Sequence, residues 1–96
     1  MHYLVIYDVV DDYVEARKPH RAAHFAHANT FFNAGQMILA GALADPADQA
    51  LFVFREHAAA TRFAENDPYV KNGIVKAWRV RNWTVVLGDG VEPPKL

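Results

Sequence analysis

Three histidines, His20, His24 and His27, fall within eight positions of the segment RKPHRAAHFAHANTFFN, residues 17–33. Side chains three and four residues apart meet along a helix, so this spacing could present one imidazole stripe to a zinc ion. A zinc site also needs a fourth ligand or water and outer acceptors to orient it, and the chain has neither a cysteine nor an H-E-x-x-H pattern. No metal is therefore assigned. Two other readings stand beside it: ordinary helix histidines, or one histidine working as an acid or base.

Carboxylates that could partner an imidazole are few. Asp67 lies in ENDPYVKNG, residues 65–73. There it can cap a short helical turn that begins at Pro68 and stops at Gly73, or it can orient a histidine and fix its tautomer. Asp8 closes the run YLVIYD and is either exposed at a strand end or directed into a pocket. Arg21 either snorkels to water or binds an anionic ligand beside His24. Arg79 and Arg81 flank Val80 and share one sheet face, as solvated side chains or as anchors for an anionic substrate. Tyr69, Trp78, Trp83 and Phe54 serve either as packing or as walls for a flat ligand. Serine and cysteine are both absent, and so is a glycine-rich phosphate loop. Ser-His-Asp hydrolysis, thiol nucleophiles and disulfides are thereby excluded, and acid-base work by histidine and aspartate remains.

The elements that must position these residues follow from periodicity. Tyr3 to Val10 reads as a strand, and Pro19 to about Asn33 as a helix with Gly35 at its left-handed stop. Met37 to Leu43 and Leu51 to Phe54 read as two strands joined across ADPAD, residues 44–48. A second helix runs from His57 to Glu65 and ends before Pro68, which disfavours helical geometry at Asp67. Ile74 to Leu87 reads as a long last strand, and the Gly- and Pro-rich segment 88–96 as a mobile tail. The order β-α-β-β-α-β predicts a ferredoxin-like α+β fold, an antiparallel sheet with both helices on one face. Its other face needs a cover, and the sheet of a second subunit is the simplest one.

On a helical wheel that starts at His20, the residues Phe31, Ala28, Phe32 and Phe25 form an apolar arc centred at about 80°. His24 and Arg21 fall inside that arc, His20 at its margin and His27 beyond it. The wheel thus predicts His24 buried against the sheet, with His20 and His27 as surface neighbours.

The bulk numbers agree with one small domain over residues 1–87. The chain has 96 residues, 52% hydrophobic and 22% charged, with a formal net charge of −1. Such a chain buries only about 60% of its unfolded surface, which favours association with a second copy. Its lysines and arginines form no basic stripe, so nucleic acid is not an expected partner. Neither a signal-peptide pattern nor a membrane-length apolar run is present, and a cytoplasmic protein is the expectation.

Taken together, YLVIYD at 3–8, RAAHF at 21–25, AGQMILAGAL at 34–43, LFVFR at 51–55 and ENDPYVKNGIVKAWRVRNW at 65–83 resemble the YCII-related (YciI-like) proteins. The resemblance implies a ferredoxin-like fold paired into a dimeric α/β barrel. It also implies a cleft in each subunit where a histidine and an aspartate form a dyad, here His24 and Asp67. Fold similarity to muconolactone isomerase, and dehydrochlorination of a chlorinated hydroxyhydroquinone by one member, point to lyase or isomerase chemistry. The expectation is a homodimeric, cofactor-independent enzyme acting on a small hydroxylated aromatic or lactone. His24 and Asp67 would be catalytic, and Asp8, Arg21, Tyr69, Arg81 and Trp83 would bind substrate. The alternative is a non-catalytic protein that holds a small ligand in the same cleft.

Overall fold

A computed structural model describes residues 1–96. Eight elements follow one another along the chain. They are β1 (His2–Val9), α1 (Tyr13–Ala16), α2 (Arg21–Asn33), β2 (Met37–Ala42), β3 (Gln49–Phe54), α3 (His57–Asn66), α4 (Pro68–Lys71) and β4 (Val75–Trp83). The strands form one antiparallel sheet in the order β2-β3-β1-β4. This is the predicted ferredoxin-like α+β fold, with short helices α1 and α4 added before the long helix α2 and the last strand. No helix is long and apolar enough to cross a membrane.

Strand alternation decides which residues reach the core. In β1 the odd-numbered Val5, Tyr7 and Val9 are buried, and in β3 Ala50, Phe52 and Phe54 join them on the same face. Against this face α3 lays Ala59, Ala60, Phe63 and Ala64, none of them exposed. Small alanines let the helix backbone approach the sheet closely, so the single large residue of that face fills the space between. Its ring centroid lies 4.8 Å from Phe52, 5.3 Å from Phe54 and 5.6 Å from Phe31.

Local signals hold at the element ends. Gly35 and Gly73 take φ of 77° and 74°, the left-handed geometry that ends α2 and α4. Asp67 is extended, with φ −67° and ψ 128°, as a residue before proline should be.

Three expectations need correction. Pro19 sits in a separate 3-10 turn, Lys18–His20, and α2 itself begins at Arg21. Strand β4 ends at Trp83 and does not continue to Leu87. Phe25 and Phe32, placed by the wheel against the sheet, are 50% and 56% exposed. Helix α2 carries apolar side chains around its whole circumference, so their mean direction misstates the buried side. That side is formed by His24, Ala28 and Phe31, with His27 partly buried beside them. It is centred at about 30° on the same wheel.

Candidate functional site

Helix α2 and the turn before α4 meet where His24 faces Asp67. Imidazole Nδ1 lies 2.8 Å from one carboxylate oxygen and 3.0 Å from the other. Asp67 is not exposed at all and His24 only 7%. The cap reading and the partner reading of Asp67 hold at once. Its Oδ1 accepts from the Tyr69 backbone N–H at 3.0 Å, as an N-cap does, and from His24. Its Oδ2 accepts from the Tyr7 hydroxyl at 2.7 Å. Three donors thus converge on one buried carboxyl group, which is how an ionised acceptor is satisfied away from water.

That arrangement selects the tautomer. With Nδ1–H donating to Asp67, the lone pair of the neutral ring resides on Nε2, which has no hydrogen-bond partner in the protein. The ring is held on its face as well. Tyr69 stacks on it with centroids 3.8 Å apart and an interplanar angle of 3°. Phe52 meets it edge-on at 6.0 Å. Tyr7 is raised well above the usual phenol range, first by burial and then by the negative charge of Asp67. It therefore remains an O–H donor to that carboxylate. Tyr69 is also raised, by burial foremost, with Tyr13 adding to the shift and Arg17 and Arg21 opposing it.

His24 lines a cleft of about 190 Å³ with Tyr13, Arg17, Arg21, Phe25, Ala28, Phe52 and Tyr69 among its walls. Of the residues selected from sequence, His24, Arg21 and Tyr69 share this cleft, and Asp67 stands behind the imidazole. The other three do not. Arg81 pairs with Leu4 and Trp83 with His2, so both stand on the sheet face turned away from the helices. Asp8 is on that face too, bonded to Gln49 at 2.9 Å and to Arg79 at 2.9 Å. These two bonds, Gln49 first, hold its carboxyl below the usual range. It lines a different hollow of about 620 Å³ beside Asp11, Asp12 and Asp48.

The histidine stripe does not form a cluster. His27 turns aside, donating from Nε2 to the Phe63 carbonyl at 2.9 Å and stacking on that ring at 5.1 Å. It is a partly buried packing residue and not the surface neighbour expected from the wheel. No group of three or more His, Cys, Asp or Glu side chains is placed to hold a metal ion. Tyr7, Tyr13, Arg17 and Phe52 were not singled out from sequence. The odd-numbered alternation of β1 was a sufficient signal for Tyr7, whereas nothing in the spacing pointed to Arg17.

Comparisons with known proteins bear on this site. The model of the YCII-related domain family matches residues 1–84. Among curated proteins none matches the chain by sequence. Among solved structures, the chain is similar to the 5-chloro-2-hydroxyhydroquinone dehydrochlorinase of Burkholderia phenoliruptrix AC1100, solved in complex with 2,5-dihydroxybenzoquinone. That likeness has a TM-score of 0.71 at 19% identity, over 96% of this chain and all of the other. A second is the structured domain of Drosophila melanogaster Boca, with a TM-score of 0.58 at 13% identity over 88% of this chain and all of the other. A third is the structured domain of Caenorhabditis elegans BMY-1, at 0.54 and 12% over 88% of this chain and 98% of the other. At these identities the structural likenesses speak for the fold alone. The family match spans nearly the whole domain, and the chain belongs to the YCII-related family.

Proposed function

We propose that the protein is a small enzyme, working without a bound cofactor, in which His24 is a general base and Asp67 holds it in position. The observation that carries this reading is the His24 ring itself. Its Nδ1 edge is fixed on a buried carboxylate, and its unpartnered Nε2 belongs to a side chain lining the cleft. A base so placed takes a proton from an acidic O–H or C–H of a bound substrate. Such transfer contributes typically ~10² to 10⁴ in rate, which suffices only where the substrate is already acidic. Small hydroxylated aromatics and lactones meet that requirement. In an isomerisation the protonated His24 returns the proton at another carbon. In a dehydrochlorination His24 first moves a phenol O–H proton to the chlorine-bearing ring carbon, giving the keto tautomer. It then takes the proton of a second hydroxyl, whose electrons form the new double bonds of a quinone as chloride departs, and later releases that proton to water. The fold likeness to a dehydrochlorinase agrees with the second course.

The test is a panel of chlorinated hydroquinones and small lactones, followed by chloride release and by deuterium uptake from heavy water. Turnover of at least one member is the expected result. Saturable binding across the panel with neither signal would assign the cleft to ligand storage instead.

The homodimer belongs to the same proposal. On the sheet face away from the helices, Leu4, Ile6 and Leu51 remain only partly buried, and Leu39 and Trp83 are 67% and 46% exposed. A second copy is the natural cover for that face. Sedimentation equilibrium should give twice the chain mass of 10.8 kDa, and a monomer at micromolar concentration would contradict the pairing.

A further inference from the structure

The mouth of the His24 cleft holds two positive charges without a counter-charge. Arg17 and Arg21 both line it. Neither guanidinium has a carboxylate within ion-pair distance, because Glu15 pairs with Lys18, Asp8 with Arg79, and Asp67 is committed to His24. Aromatic faces hold them in place. The Arg17 guanidinium lies 4.8 Å from the centroid of the Tyr13 ring, and that of Arg21 lies 5.4 Å from Phe25. Arg17 Nε is also shut off from water with no acceptor in the protein. Enclosed in this way, Nε is out of a ligand's reach too, so the outer guanidinium nitrogens of Arg17 are the donors available to one. Solvated arginines are common on protein surfaces, but these two are pinned on rings at one opening, above a pocket whose floor is aromatic.

We propose that the cleft takes a single-ring planar carboxylate, with Arg17 and Arg21 gripping the carboxylate at the mouth while the ring lies among Phe52, Phe25 and the stacked His24–Tyr69 pair. The volume of about 190 Å³ supports one ring and little more. It is below the roughly 300 Å³ at which sites for drug-sized ligands begin. A guanidinium presents a planar fork that matches a carboxylate, and charge-assisted hydrogen bonds of this kind are about twice as strong as neutral ones. This inference deepens the acid-base reading of the site by naming the charge its substrate carries. It assigns Arg17 and Arg21 to binding, with no part in proton transfer.

The experiment compares benzoate with benzamide, planar molecules of similar shape that differ in charge, titrated by calorimetry at about pH 8, above the ordinary histidine range. Wild-type protein should bind benzoate about tenfold or more tighter than benzamide. Arg17→Gln should lose about tenfold in benzoate affinity with benzamide unchanged, and Arg17→Lys should recover part of the loss. In His24→Gln the preference for benzoate should persist. Equal binding of the two probes, unaltered benzoate affinity in Arg17→Gln, no saturable binding of benzoate, or a preference that vanishes in His24→Gln would each overturn the proposal. The two readings fail separately. A charge preference without turnover on any substrate leaves the clamp and removes the general base, and turnover without a charge preference does the reverse.

Discussion

Replacing His24 by alanine is expected to lower kcat by ~10² to 10⁴ on a substrate that the wild-type protein turns over, with the chain still folded. The loss should fall on kcat more than on KM, because the imidazole's work is done in the transition state and the walls of the cleft are left standing. Folding should survive for a structural reason. His24 supplies only one of the three donors to Asp67, and the Tyr7 hydroxyl and the Tyr69 backbone N–H remain. The lost stack on Tyr69 and the small cavity left behind are tolerable next to a core built around Phe63. Steady-state kinetics with circular dichroism on the same sample check both halves. Full activity in the variant would remove the general base from the mechanism.

Asp67 should behave differently, because there the site and the fold share one side chain. Asp67→Ala strands the Tyr7 hydroxyl, the His24 Nδ1–H and the Tyr69 N–H inside the protein and removes the cap of α4. Unsatisfied buried donors cost about 1–3 kcal/mol each and a lost cap about 1 kcal/mol, so a destabilisation of about 3 kcal/mol or more is expected. In a chain of this size that lowers Tm by more than about 10 °C. Asp67→Asn separates the two roles. Asparagine caps as well as aspartate, and its amide can donate to the Tyr7 oxygen while its carbonyl accepts from Tyr69. The fold should therefore hold, with the loss confined to activity, on the order of 10². Thermal melts of both variants beside their kinetics decide the matter: a stable Asp67→Ala, or a fully active Asp67→Asn, would contradict this account.

Much of this arrangement is local and could be read from the chain. The cap at Asp67 depends on the residue itself, on Pro68 after it and on Gly73 at the stop, three neighbours whose backbone preferences agree. The inner face of β1 follows from a period of two, which sets Val5, Tyr7 and Val9 together whatever the sheet is packed against. The end of α2 at Gly35 is of the same kind. Where a wheel was needed, the reading was weaker. Helix α2 is apolar all round, so averaging over its phenylalanines turned the predicted buried side away from His27 and toward Phe25 and Phe32.

By itself, then, the sequence determined the order of the elements, the face each strand residue takes relative to its neighbours, and the short list of groups able to move a proton. Tertiary structure decided which of them meet. His24 and Asp67 are 43 positions apart, and nothing local brings an α2 side chain against the cap of α4. The pairing register sent Asp8, Arg81 and Trp83 to the far side of the sheet, because a strand residue shares its face with the partner opposite it. Arg17 entered the site at the joint between α1 and the 3-10 turn, where no periodicity announces it. Local preferences act over a few residues and are written in the chain, whereas a cleft is enclosed by segments that only packing brings together.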